Sequence, residues 1–257
     1  MSLLSLDGVF VSFGGVAAVR GVTMHVEEGE IRGLIGPNGA GKTSLINSIT
    51  GIVRPDGGAI AFAAQNITTL APDTIAARGI GRTFQHVELF REASVLDNVL
   101  AGLYRHHVYG LAAAIAGWGR ARRVENEARR EAHSLLEAFD LAPLALVPVG
   151  DLPFGIQKRI DLARALAVQP RLLLLDEPIS GMSETEADAA IGMLHDLAER
   201  RHITLLVVEH NMRVMMRLAS RITVMHQGEI LAEGSPADIR SNRAVVEAYL
   251  GEDDEHA

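Results

Sequence analysis

Apolar and polar positions along the chain switch between two periods. Residues 9–13 and 21–26 read as strands separated by a Gly14-Gly15 turn. Residues 31–35 form a short apolar stretch, and residues 44–50 continue with helical spacing toward Gly51, a plausible C-cap. Arg54-Pro55-Asp56-Gly57-Gly58 predicts a turn, residues 59–63 an edge strand, residues 72–78 a short helix, and residues 81–84 a strand.

The pattern changes over residues 94–147. Leu96, Val99, Leu100 and Leu103 have helical spacing, as do Leu135, Leu136 and Phe139. Residues 120–133 between them are densely charged, as on a solvated helix face. This block predicts a helical insertion into an α/β core, and Gly and Pro residues over 142–153 end it. The core then resumes. Residues 156–168 are helical in period and stop at Pro170. Leu172-Leu173-Leu174-Leu175 is apolar throughout, as expected of a buried parallel strand, and residues 203–208 read as a second buried strand. Ser183 and Glu186 match a capping box at the head of a helix over 183–201. Residues 221–225 and 229–231 flank His226-Gln227-Gly228 as a hairpin. The acidic residues 252–257 predict a disordered tail.

One loop in this layout carries chemistry. Gly36-Pro37-Asn38-Gly39-Ala40-Gly41-Lys42-Thr43 lies between an apolar strand and a helix, in the order G-x-x-x-x-G-K-[ST]. Glycines let backbone N–H groups turn inward around an anion. The following helix begins with free N–H donors and the positive end of its dipole. Lys42 can reach the outer phosphates of a nucleoside triphosphate, and the Thr43 hydroxyl can ligate Mg²⁺. Leu172-Leu173-Leu174-Leu175-Asp176-Glu177 ends in two carboxylates at the edge where ligands collect in open α/β sheets. Asp176 is placed to hold Mg²⁺, directly or through water, and Glu177 to polarise an attacking water. His210, after the strand over 203–208, is placed to bond the terminal phosphate; its neighbour Glu209 has no assigned role. Gln85, at the end of Arg82-Thr83-Phe84-Gln85, offers an amide to Mg²⁺ or to the nucleophilic water. Phe13 is open to two readings, a stacking surface for adenine and an ordinary strand core residue.

Composition narrows the classes. A formal charge of −8 argues against a nucleic-acid binder, and the absence of cysteine excludes disulfides, thiolate metal sites and cysteine nucleophiles. The start lacks the features of a signal peptide, and no apolar run reaches the roughly 18 residues needed to span a bilayer. Residues 111–118 are the longest candidate and end in a basic cluster. The expectation is a cytoplasmic protein that meets a membrane only through other chains.

The phosphate loop, Gln85, Leu152-Pro153-Phe154-Gly155-Ile156-Gln157-Lys158-Arg159, residues 172–178 and His210 occur in that order over essentially the whole chain. The set resembles the nucleotide-binding subunit of an ABC transporter. It is most similar to the ATP-binding subunits of branched-chain amino acid importers, on four features. These are Arg82-Thr83-Phe84-Gln85, the long charged helical insert, the Pro-aromatic-Gly segment, and Ala244-Val245-Val246-Glu247-Ala248-Tyr249-Leu250-Gly251. The resemblance implies a single ABC ATPase domain of α/β class. A P-loop NTPase (RecA-like) core over 1–85 and 165–240 would carry an antiparallel β subdomain. Residues 86–164 would be a helical subdomain and residues 241–257 a C-terminal tail. It implies ATP and Mg²⁺ as ligands and a head-to-tail pair with a second ATPase, a sibling chain or a copy. Each ATP would lie between one phosphate loop and the partner's segment 152–157. Two transmembrane permeases and an extracytoplasmic solute-binding protein complete the implied assembly. Branched-chain amino acids or related small solutes are the implied cargo. The alternative is the ATPase of a non-import system, extracting lipid or lipopolysaccharide, or a non-transport assembly factor.

The family's general signature is Leu-Ser-Gly-Gly-Gln, and this chain departs from it. Pro153 stands at the serine and Ile156 at the glutamine. In Ser180-Gly181-Met182-Ser183, Ser183 stands where the family has aspartate or asparagine. Two composite sites that turn over unequally are the implied consequence in a heterodimer.

Overall fold

The computed structural model describes residues 2–83, 88–103 and 118–253, with the backbone alone at 118–121 and 250–253. Gln85, Phe84, most of the apolar run over 111–118 and the last four residues of the expected tail lie outside the described residues. Two compact units are present, Met1–Arg82 with Arg171–Ala257, and Thr83–Pro170. The helices of the described residues are α1 (Lys42–Ile49), α2 (Pro72–Ala77), α3 (Val95–Leu103), α4 (Trp118–Ala138), α5 (Phe154–Ala167), α6 (Glu184–Arg201), α7 (Met212–Leu218), α8 (Pro236–Ser241) and α9 (Arg243–Asp253).

The first unit begins with an antiparallel sheet. Strands β1 (Ser2–Phe13) and β2 (Val16–Glu27) pair through Gly14-Gly15, whose φ angles are 54° and 87°. Both strands are about twice as long as their sequence pattern predicts. Register shifts between Leu6 and Val11 break the alternation while the pairing continues, with Gly8 and Gly21 at positive φ. The predicted edge strand is instead interior to its sheet, whose order is β2-β1-β4-β5. Residues Gln65–Asn66 (β5) cover the outer side of Gly57–Phe62 (β4). The connecting turn, Ala63-Ala64, has both φ angles positive, at 48° and 61°. Alanine is not the residue that ordinarily signals such a turn, so the sequence hides it.

The second sheet of this unit has six strands in the order β10-β9-β3-β8-β7-β6. They are β3 (Ile31–Ile35), β6 (Ile80–Arg82), β7 (Leu172–Asp176), β8 (Thr204–Val208), β9 (Arg221–His226) and β10 (Glu229–Gly234). All neighbours are parallel except β9 and β10. β3, β7 and β8 are buried at every residue, which accounts for their largely apolar sequences, with Thr204 and Asp176 at strand ends. Arg32 is the exception inside β3. Its guanidinium donates to the His25 carbonyl on β2 (2.5 Å), Thr223 on β9 (3.2 Å) and Glu233 on β10 (3.1 Å), so a buried charge ties the two sheets. Leu4, Leu6, Met24 and Phe62 share a core with Leu34, Ile46, Ile49, Leu174 and Leu206. Each such side chain contributes about 1.5–3 kcal/mol on burial.

Residues expected as a tail are partly helical. Asn242 Oδ1 accepts the N–H of Ala244 (3.0 Å) to start α9, and Val245 buries its side chain. α8 carries a Ser235–Asp238 capping box. Short helices of this kind have too few turns to show a period.

The second unit packs α3 against α4 and α5. Gly102 permits the close approach of α3, since a Cβ there would stand 2.5 Å from the Arg164 carbonyl. The unit ends at Pro170, past the end of α5; a division at 164/165 would fall inside that helix. Asn98, fully buried on α3, accepts from the Phe90 N–H (2.9 Å) and donates to the Phe90 and Ser94 carbonyls (3.0 Å each). Phe90 itself is exposed.

Candidate functional site

The phosphate loop leaves the C-terminal end of β3 and enters α1. Gly36, Gly39 and Gly41 have φ angles of 151°, 76° and 97°. A Cβ on Gly36 would sit 2.1 Å from the Met225 carbonyl, and one on Gly41 would sit 2.2 Å from the Ala18 carbonyl. Both positions therefore require glycine twice over, for conformation and for space. The loop is fastened from outside. Ala40 O accepts the Gly228 N–H (3.1 Å), and Gly228 O accepts that of Arg20 (2.8 Å). Lys42 Nζ donates to the Gly36 and Pro37 carbonyls (2.6 and 2.8 Å). No acidic side chain stands in the first turn of α1, so its positive end is not neutralised locally.

Parallel register brings distant residues to the same edge. β8 lies between β3 and β7, with Asp176 beside Val208. The phosphate loop, Asp176-Glu177 and Glu209-His210 thus leave three neighbouring strands at their C-terminal ends. Asp176 is buried, and its Oδ2 is 3.3 Å from an Arg82 guanidinium nitrogen. Burial raises the Asp176 carboxyl above the usual carboxylate range; Arg82 opposes that shift and Glu177 adds to it. Burial likewise lowers the Arg82 guanidinium against the pull of Asp176.

Glu177 adopts a left-handed conformation, with φ at 49°. Its N–H donates to Val208 O (2.9 Å), which continues the parallel ladder by one residue. A non-glycine residue held there costs about 1–3 kcal/mol, a kind of strain that clusters at active sites. The Glu177 Oε1 lies 3.5 Å from His210 Nδ1, and the His210 side chain is 57% exposed. Glu209 also approaches this nitrogen, with its Oε2 3.9 Å away. It is 1% exposed and its Oε1 accepts the Ile179 N–H (3.0 Å), so it anchors the segment that follows Glu177. The role of Glu209 was not legible in the sequence, because the bond spans thirty residues.

Phe13 is half exposed at the end of β1, beside exposed Val16. It is not a core residue. Segment 152–157 belongs to the second unit. Leu152 follows a 3₁₀ turn (Val149–Asp151), Pro153 is the N-cap of α5, and Phe154-Gly155-Ile156-Gln157 form its first turn. Gln157 Nε2 donates to Leu152 O (2.8 Å), so this amide is turned back on its own chain. Lys158 Nζ lies 5.3 Å from the centre of the exposed Phe154 ring. Ser183 caps α6 reciprocally with Glu186, whose carboxyl is held low by that serine.

The donors that Mg²⁺ would use are hard oxygens, the Thr43 hydroxyl and the Asp176 carboxylate. Among the described residues no three His, Asp or Glu cluster as an all-protein cage.

Comparison with known sequences places this geometry. The family model for ABC transporters matches residues 19–180, from β2 through the strand-end carboxylates. The chain belongs to the ABC transporter family. It is an ABC ATPase, a nucleotide-binding α/β cassette with the P-loop core, antiparallel β sheet and helical insertion of that fold. A second model, for branched-chain amino acid ATP-binding cassette transporters, matches residues 229–255, which include β10, α8 and α9. The high-affinity branched-chain amino acid transport ATP-binding protein BraF of Pseudomonas aeruginosa is 39% identical over 250 residues, 97% of this chain and 98% of the relative. The lipopolysaccharide export system ATP-binding protein LptB of Acidithiobacillus ferridurans is 35% identical over 97% of each chain. An ABC transporter cassette solved in its ADP conformation superposes with a TM-score of 0.84 at 31% identity, covering 98% of this chain and 99% of the other.

Proposed function

We propose that this ABC ATPase powers import of branched-chain amino acids or related small solutes, as one of two ATPase subunits on a pair of permeases. The observation that carries this reading is the second family match. It lies in the C-terminal segment rather than the common cassette, and it is specific to branched-chain transporters. No helix of the described residues is long and apolar enough to cross a membrane. Attachment at the cytoplasmic face would therefore come from the permeases, and an extracytoplasmic binding protein would deliver the solute.

In the proposed cycle Phe13 stacks on adenine. The N–H groups from Gly36 to Gly41, Pro37 carrying none, wrap the phosphates, and Lys42 binds their outer oxygens. Thr43 and Asp176, with Gln85, would hold Mg²⁺, and the ion would supply charge neutralisation on the phosphates. Glu177 takes the proton of the attacking water while His210 steadies Glu177 and the terminal phosphate. The segment Leu152-Pro153-Phe154-Gly155-Ile156-Gln157 serves the partner's ATP through the N–H groups at the head of α5. With Pro153, Ile156 and Ser183 in place of the usual side chains, that composite site is the weaker of two.

Reconstitution with the permeases and binding protein of a branched-chain amino acid importer tests the reading. Leucine uptake should depend on ATP, and Glu177→Gln should lower turnover about 10²–10⁴-fold while ATP remains bound. Unequal losses when the catalytic glutamate is replaced in one subunit and then the other support the asymmetry. Retention of lipopolysaccharide-export components instead of these permeases would favour the role named for LptB.

A further inference from the structure

Arg82 is not used by the nucleotide chemistry above. It ends β6 and is 9% exposed. One guanidinium nitrogen donates to Asn47 Oδ1 (2.7 Å) and Thr50 Oγ1 (3.3 Å), and another meets Asp176 Oδ2 (3.3 Å). Asn47 lies in the last turn of α1 and Thr50 caps it. This is the helix whose first residues are Lys42 and Thr43. A single buried cation therefore spans from the far end of the phosphate-loop helix to the carboxylate at the end of β7.

We infer that Arg82 is a positioning residue and the resident counter-cation of Asp176, so that this carboxylate accepts a divalent ion only together with a triphosphate. The inference rests on the reading of Asp176 as a Mg²⁺-holding residue. Asn47 and Thr50 pin the guanidinium, so its positive charge is held beside the carboxylate. A divalent ion approaching Asp176 alone meets a fixed positive charge in a site of low dielectric. A triphosphate brings several negative charges to the same edge and reverses that balance. Metal binding and nucleotide binding are thereby coupled through Arg82, with Lys42 a second cation acting on Asp176. A purely structural strut would affect stability and leave the intrinsic metal affinity alone.

Mn²⁺ titration of the nucleotide-free full chain, followed by the electron paramagnetic resonance signal of free Mn²⁺, separates the two. Arg82→Gln should bind Mn²⁺ at least about tenfold more tightly than wild type, and Arg82→Lys, which keeps the charge, should stay within about threefold. Unchanged or weaker binding by Arg82→Gln overturns the inference, as does a tenfold tightening by Arg82→Lys. Mn²⁺ with a non-hydrolysable ATP analogue tests the underlying assignment separately. If Asp176→Asn binds Mn²⁺ as wild type does under those conditions, the metal role of Asp176 falls. If it binds more weakly there while Arg82→Gln is unaltered without nucleotide, the counter-cation role alone falls.

Discussion

Replacement of Gly41 by alanine isolates the steric demand of the phosphate loop. The N-cap of α1 has φ 97° and ψ 2°, and an alanine held in such a conformation costs about 1–3 kcal/mol. The new Cβ would also stand 2.2 Å from the Ala18 carbonyl of β2, where ordinary contact begins near 3.4 Å. Ala18 cannot retreat freely, because the pairing of Ser12 with Ala17 and of Val11 with Val19 holds β2 on either side. The loop must move instead, against the Gly228-to-Ala40 bond. Gly39→Ala is the matched control. Its φ of 76° carries similar strain, yet its Cβ would meet nothing within 4 Å. Gly39→Ala should cost about 1–2 kcal/mol, and Gly41→Ala at least about 2 kcal/mol more, by the cost of overpacking a rigid contact. In a chain of this size each kcal/mol lowers Tm by about 2–4 °C. Calorimetric melting measures the stability difference, and titration with MgATP reads the function. Gly41→Ala should weaken nucleotide binding more than tenfold beyond Gly39→Ala, a loss of about 1.4 kcal/mol. Equal melting temperatures for the two variants would refute the steric account of the cradle.

Three further outcomes follow from single contacts. Glu209→Ala leaves the buried Ile179 N–H unmatched and should cost about 1–3 kcal/mol in urea unfolding, whereas Glu209→Gln keeps an acceptor and should cost less. A larger loss for glutamine than for alanine would show that the N–H bond is not what Glu209 supplies. Phe13→Ala should weaken ATP by about 1–3 kcal/mol through lost stacking, yet change stability by under about 0.5 kcal/mol, because the ring is half exposed. Unaltered affinity by fluorescence titration would remove Phe13 from the nucleotide site. Asp161, buried on α5, has its carboxyl raised above the usual range by burial, with Arg164 opposing. An acid whose folded pKa exceeds its unfolded value binds more protons when folded, so its contribution to stability falls as pH rises through that interval. Asp161→Asn removes this loss, and its stability relative to wild type should rise from pH 4 to pH 7; a flat difference across that range contradicts the assignment.

What was legible in the sequence is what local patterns encode. Buried parallel strands are largely apolar, so β7 stands out as four leucines before Asp176 and β8 as four apolar residues after Thr204. The spacing of Gly36, Gly41, Lys42 and Thr43 prescribes a loop and a helix start because backbone geometry over eight residues decides both. The Ser183–Glu186 capping box, three residues apart, likewise needs no distant partner. The lengths of β1 and β2, the helical state of residues 243–253 and the interior place of β4 were not legible. Each depends on pairing or packing with segments remote in the chain.

The same division runs through the site. Residue types and their order determined that phosphate chemistry belongs at the ends of β3, β7 and β8. Only the tertiary structure decided what each charge touches: Arg82 on Asp176 across 94 positions, Glu209 on the Ile179 N–H, and Glu177 held in a left-handed turn beside His210. Parallel strands paired through long crossovers align such residues by register, and register is fixed by the hydrogen-bond ladder and the burial of both sheet faces. Those are properties of neighbours in space, which no spacing along the chain records.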